Sequence, residues 1–299
     1  MKKATTVEQQ IATLVERGMD IDVGENKAKE ILNDIGYFRL GFYCFPFEKT
    51  YPNKKNRIHQ YKQGTKFSDV VQLYYFDADL RNLLTCYLSR IELNFRTNII
   101  YTVSNKHVNS NTWFIDHSVM KKDFIDKFDN EFYTDRFRSN YRVIAEHHKK
   151  YINDKYAPAW KTLEFLTFGR LVDLYRSLKD VDLQRQIATR YGIRNEKILK
   201  NYFYALVDVR NVCAHSSVLF DYKLKRLLRN GPAMTVATIK SSLQVFSVIR
   251  VVHFILNSIS ENRAKKMKTE ITTLFDTHQA NESIRWIIND CMGYRRDVW

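Results

Sequence analysis

Proline and glycine are scarce in this sequence, at 4 and 9 of 299 residues, where an average chain carries about 5% and 7%. Neither occurs between Gly64 and Pro158, between Gly192 and Gly231, or between Pro232 and Gly293. Sandwiches, barrels and glycine-rich nucleotide loops fit poorly, and long uninterrupted helices have room. Cysteine is sparse as well. Cys44, Cys86, Cys213 and Cys291 lie far apart with no CxxC pair, which argues against a zinc ribbon or a disulfide framework and predicts reduced, mostly packed thiols. Long apolar runs are also lacking. Met1 to Gln10 holds no apolar stretch of signal-peptide length, and Val245 to Ile259 is short and interrupted by Arg250 and His253. No membrane association and a cytoplasmic location are therefore expected.

Acidic residues fall short of basic ones: 48 Lys+Arg less 33 Asp+Glu leaves +15. Such a balance suits a polyanionic partner. Apolar residues at 44% and charged residues at 27% are ordinary for a soluble globular chain. A chain this long can bury roughly 75% of its unfolded surface without metal or disulfide staples. No cofactor is expected.

Hydrophobic spacing gives an all-α class. Val7 to Gly18 and Asn26 to Ile35 form a helical hairpin, each half stopped by glycine. Gly36 to Tyr43 is aromatic-dense and reads as a turn-rich connector. Lys49 to Lys66 holds Lys49, Lys54, Lys55, Arg57, Lys62 and Lys66 with no acidic residue, and with Tyr51, His59 and Tyr61 between them. Such a loop can hold phosphates while its rings stack on bases; a merely solvated basic loop is the other reading. Leu80, Leu84, Leu88, Ile91, Phe95 and Ile99 mark a helix buried along one side. On it Glu92 precedes Arg96 by one turn, a pair that alone argues for nothing catalytic.

Residues 113 to 156 read as helices with a basic surface. His147 and His148 are adjacent and point apart on a helix, no HExxH spacing occurs, and ordinary surface histidines are expected rather than a metal site. After Pro158 the helical period resumes from Trp160 to Leu178, with Gly169 inside it for close packing or a kink. The last third, from Met234, adds amphipathic stretches at Leu243 to Ile259 and Ile284 to Ile288. No repeat or linker divides the chain, so residues 1–299 read as one helical unit.

One place calls for chemistry. From Asn195, residues Leu199, Tyr202, Leu206, Val209 and Cys213 make an apolar helical stripe, and Arg210 lies only about 20° around from Leu199. A guanidinium on that side needs a carboxylate, a route to water, or an anionic ligand. On a straight helix His215 would stand about 140° away from Arg210. Ser216 and Ser217, however, read as caps for a following helix through Leu219, Phe220, Leu224, Leu227 and Leu228, which breaks the chain at His215 and can turn the imidazole toward the arginine. Asn211 lies one turn before His215, within reach of it or of a phosphate. Lys223, Lys225, Arg226 and Arg229 then make that next helix basic.

Arg210, Asn211 and His215 together suit RNA cleavage. The ribose supplies its own nucleophile, histidine moves protons near neutrality, and arginine stabilises charge on the phosphoryl oxygens. One imidazole cannot easily serve both proton transfers, so a homodimer with a shared composite site is expected. The competing reading is a core arginine paired to Asp208 or Asp221 beside an inert histidine.

Arg210-Asn211-Val212-Cys213-Ala214-His215 resembles the RxxxxH signature of HEPN ribonucleases. Tyr37-Phe38-Arg39-Leu40, Phe67, Tyr74, Phe76-Asp77, Leu80-Arg81, Ile91-Glu92 with Arg96, Pro158-Ala159-Trp160 and Phe168-Gly169 resemble, in order, the AbiD/AbiF-like abortive-infection proteins of bacteria, over about residues 10 to 230. The resemblance implies a HEPN-like helical bundle with additional N- and C-terminal helices, the extension being 231–299. It also implies dimerisation, metal-independent RNA cleavage in phage defence or toxin–antitoxin arrest, and restraint by a small structured non-coding RNA. Ser217 stands where some HEPN toxins carry a modifiable tyrosine, which makes silencing by tyrosine modification doubtful here. Glu92 and Arg96 are candidates to line the cleft. The expected site is thus Arg210, Asn211 and His215 for catalysis, with Lys54, Lys55, Arg57, Lys62, Lys223, Lys225, Arg226 and Arg229 on RNA. A catalytically silent RNA-binding module and a structural dimeric scaffold are the alternatives.

Overall fold

The computed structural model describes residues 3–234 and 243–298, so residues 235–242 of the C-terminal extension lie outside the described ones. Helices α1 (Val7–Glu16) and α2 (Glu25–Ile35) form the expected hairpin, and Thr6 opens α1 with a capping box to Gln9. The aromatic stretch after Gly36 is a helix, α3 (Tyr37–Cys44), rather than a connector. Gly36 takes φ 86° and turns the chain between α2 and α3, while Leu40, Tyr43 and Cys44 supply a buried face. Gly41 inside α3 was the misleading signal. The basic loop follows and is irregular, as expected.

The spine of the molecule is α4 (Phe67–Lys106), 40 residues long, with buried residues along its whole length. Helices α3, α9 (Phe168–Ser177), α10 (Val181–Thr189), α11 (Glu196–Ala214), α12 (Val245–Ile259) and α13 (Glu261–Gln279) all pack on it. Phe95 of α4 meets Phe203 of α11 at 4.2 Å and Tyr175 of α9 at 5.6 Å between ring centroids, pairs that add to the burial of their area. Between α4 and α9 run α5 (Lys122–Glu131), α6 (Asp135–Asn140), α7 (Arg142–Lys150) and the short α8 (Ala159–Thr162). The expected run from Trp160 to Leu178 is therefore interrupted. It breaks at Leu166, whose carbonyl accepts a 2.8 Å bond from Arg96 of α4. Gly169 lies in the first turn of α9 beside Val207 of α11. His147 is not a surface residue: it is buried, with Nε2 3.1 Å from Asp154, and His148 meets the Tyr133 hydroxyl at 2.9 Å.

Helix α13 went unread in the sequence although Ala264, Met267, Ile271 and Phe275 bury at helical spacing. With α12 and α14 (Glu282–Trp286) it lays the C-terminal extension against α4 and α11. Among the described residues the class is all-α, with isolated bridges but no strand. Of the cysteines, Cys44 and Cys213 are buried and Cys86 is exposed. Among the described residues no helix is long and apolar enough to cross a membrane.

Candidate functional site

Asn195 caps α11, its side chain accepting the Lys197 N–H at 2.8 Å, and the helix runs 19 residues to Ala214. It stops as a Schellman motif. The N–H of Ser217 bonds to Val212 O at 3.0 Å and that of Ser216 to Cys213 O at 3.1 Å, with Ser216 at φ 50°. The break at His215 is therefore present, but its cause differs from the expected one. Ser216 and Ser217 end α11 and do not start another helix. Residues 218–230 are irregular, so the anticipated basic helix carrying Lys223, Lys225, Arg226 and Arg229 does not form.

What takes the place of that helix is a buried anchor. The Asp77 carboxylate on α4 accepts the backbone N–H of Phe220 at 2.6 Å and of Leu219 at 3.1 Å, the Tyr43 hydroxyl at 2.8 Å, and the Arg81 guanidinium. Arg81 also donates to Ser217 O at 3.3 Å, and Arg39 of α3 to Ser216 O at 2.8 Å. Burial pushes the Asp77 carboxyl up, opposed by Arg81 and by these hydrogen bonds. With Asp77, Arg81 and Arg39 holding its backbone, the chain leaving His215 is fixed in direction.

Arg210 is a quarter exposed and its partner is neither Asp208 nor Asp221. Its Nη2 and Nε lie 3.1 and 3.4 Å from Glu92 Oε2, and its Nη1 donates to Asn211 Oδ1 at 3.0 Å. Glu92 also pairs with Arg96 at 3.3 Å. The Glu92–Arg96 pair is therefore one half of a row, Arg96–Glu92–Arg210, that joins α4 to α11. Three of the five guanidinium N–H groups of Arg210 are engaged, leaving two for an anion. The backbone carbonyl of Asn211 accepts the His215 backbone N–H at 3.0 Å, an ordinary i to i−4 bond that closes the last turn of α11. His215 is exposed and its imidazole bonds no other described residue. Arg210, Asn211 and His215 share one helix end that opens to solvent.

The basic candidates divide. Lys54, Arg57 and Lys223 converge on one cavity although 166 residues separate Arg57 from Lys223. Lys62 turns away, donating to Pro46 O at 3.1 Å and standing 5.1 Å over the Trp286 ring. Lys55, Lys225, Arg226 and Arg229 are exposed; Lys225 is 3.9 Å from Asp208 and Arg226 lies over the Tyr204 ring. Asp77, Arg81, Tyr43 and Arg39 were not assigned a role from sequence. The signal was there in part: Asp77, Arg81, Glu92 and Arg96 fall within about 100° of each other around α4. Among the described residues no three His, Cys, Asp or Glu side chains gather as a metal site.

Residues 30–221 match the family of Abi-like proteins, well over half of the chain. The chain belongs to that family. The match takes in α3, α4, the Asp77 anchor and the whole Arg210–His215 helix end, and it stops at residue 221, ahead of the C-terminal helices of this Abi-like protein, which start at Val245. Membership associates the chain with abortive infection. Among curated proteins and solved structures none matches it.

Proposed function

We propose that this Abi-like chain is a metal-independent endoribonuclease of HEPN type, acting in phage defence as a homodimer. The observation that carries the reading is the solvent-open helix end where Glu92 and Asn211 hold the Arg210 guanidinium while the His215 imidazole stays unengaged. A phosphodiester entering there meets two remaining guanidinium donors. The ribose 2'-oxygen attacks the adjacent phosphorus as an imidazole takes its proton, the bond to the 5'-oxygen breaks, and that oxygen receives a proton from a second imidazole. The products are a 2',3'-cyclic phosphate and a 5'-hydroxyl. Arginine stabilises the charge that builds on the phosphoryl oxygens. The second imidazole comes from His215 of another copy in a symmetric pair. The net charge of +15 suits the substrate, and a small structured RNA is a fitting natural restraint.

Purified protein incubated with RNA in EDTA tests this. Wild type should cut RNA and leave DNA whole, and His215→Ala should lose about 10²–10⁴-fold in rate. Arg210→Ala should be similarly impaired. Because Arg210 is already paired to Glu92, a second reading has support: a silent RNA-binding protein in which the arginine only braces two helices. Equal RNA binding by all three proteins without cleavage would favour it.

A further inference from the structure

A cavity of about 540 Å³ lies just beyond the motif, where α3, the basic loop and the chain after His215 meet. That size falls within the roughly 300–1,000 Å³ of ligand pockets. Phe42, Phe45, Phe220 and Tyr222 line it. Phe42 is 48% exposed, and on its other side it touches Phe38, itself 82% exposed, at 5.2 Å between centroids. Half-open rings of this kind cost the free protein hydration and suit a flat partner. The cavity reaches Val218, three residues after His215, so the two Cα atoms are at most about 11 Å apart. Arg39, between Phe38 and Phe42 on α3, holds Ser216 O and ties this aromatic edge to the motif.

The rim carries two lysines, Lys54 and Lys223, against one carboxylate, Asp221. Lys54 is 69% exposed and reaches Asp221 at 3.1 Å, and Lys223 donates to Cys291 O at 2.7 Å, so both ammonium groups can take a phosphate by small rotations. Arg57 is different: Glu48 takes its charge, and its guanidinium lies 4.5 Å over the Phe45 ring as part of the wall. Rings within and lysines at the mouth match one nucleotide, base inward and phosphate outward. A duplex keeps its bases stacked inside an A-form helix and cannot offer one.

We infer that this cavity binds an unpaired base of single-stranded RNA and so sets which phosphate reaches His215. The inference rests on the endoribonuclease reading for its substrate and narrows that substrate to unpaired RNA. Fluorescence anisotropy with a labelled single-stranded RNA and a duplex of the same sequence tests it, using His215→Ala protein so that nothing is cut. Adding Phe42→Ala should weaken single-strand binding about tenfold or more and leave duplex binding unchanged. Lys54→Glu should also weaken it. A 4-thiouridine RNA should cross-link to peptides carrying Phe42, Phe45 or Tyr222. Phe42 is half exposed, so its truncation should not unfold the protein, and a melting curve checks this. Unchanged single-strand binding in the folded Phe42→Ala variant, or equal losses for both RNAs, overturns the inference. So does a change of oligomeric mass with RNA binding intact, since the rings would then face a second copy. Pocket-dependent binding by a wild type that never cleaves would sink the nuclease reading alone.

Discussion

Glu92 on α4 holds Arg210 on α11 across 118 residues of sequence, with 3.1 Å between carboxylate and guanidinium. Because Arg96 leans on the same carboxylate, removing its charge weakens the hold on both arginines, leaving Arg96 on Leu166 O and Arg210 on Asn211. Glu92→Gln keeps the shape and should lower RNA cleavage by up to about 10²-fold through misplacement of Arg210. The loss should fall on kcat, with KM little changed, and Glu92→Asp should recover part of it. A variant that melts lower yet cleaves at the wild-type rate would make the row purely structural.

Asp77→Ala should be among the most destabilising single changes. It leaves the Arg81 guanidinium, the Tyr43 hydroxyl and two backbone N–H groups without their acceptor. Breaking a buried pair costs about 3–5 kcal/mol, which at about 2–4 °C per kcal/mol is a Tm lower by roughly 10 °C. Calorimetry checks this, and a loss under about 1 kcal/mol would contradict the anchor.

Ser216 stops α11 in the left-handed region, at φ 50°, where glycine is the usual residue. Ser216→Gly should raise stability by about 0.5–1 kcal/mol, and Ser216→Val should lower it, since a β-branched side chain fits that backbone worst. Urea midpoints of the two variants should move in opposite directions. Cleavage by Ser216→Gly should persist, because the backbone cap that ends α11 at His215 is kept.

Acid should loosen the basic loop. Burial pushes the Glu48 carboxyl up, but its bonds to Arg57 and His59 outweigh this and hold it below its ordinary 4.5. The folded protein therefore binds that proton more weakly than the unfolded chain. Stability from the pair is fully present above the unfolded value and is lost as pH falls through the folded one. Wild type should lose more stability than Glu48→Gln does as pH falls from about 5 through the folded value below 4.5. Parallel curves would show that the pair contributes nothing.

The long helices were legible because Leu80 to Ile99 and Leu199 to Cys213 repeat apolar residues at helical spacing, and packing then follows the pattern. The same rule failed over residues 219–228. Leu219, Leu224 and Leu228 are buried as a helix would bury them, but Leu227 is 62% exposed. A backbone group that a helix would need goes elsewhere: Leu224 N–H bonds to Leu243 O at 2.9 Å. Tertiary partners outbid a local period, and one sequence does not display them. For the site, the helix end at His215 was readable from local spacing. The Glu92 contact was not readable from spacing, because nothing in the neighbourhood of Arg210 points to a carboxylate so far along the chain; only the family resemblance put Glu92 beside the cleft.

Both halves of the motif are gripped from a single helix. Asp77 secures the exit from His215 and Glu92 secures Arg210, and the 15 residue steps from one to the other span about 22 Å of α4. That helix is a ruler for the site, calibrated by its rise and its turn. One residue inserted between the two grips would rotate one against the other by about 100°, so arginine and histidine could not both be seated even with every residue of the motif in place.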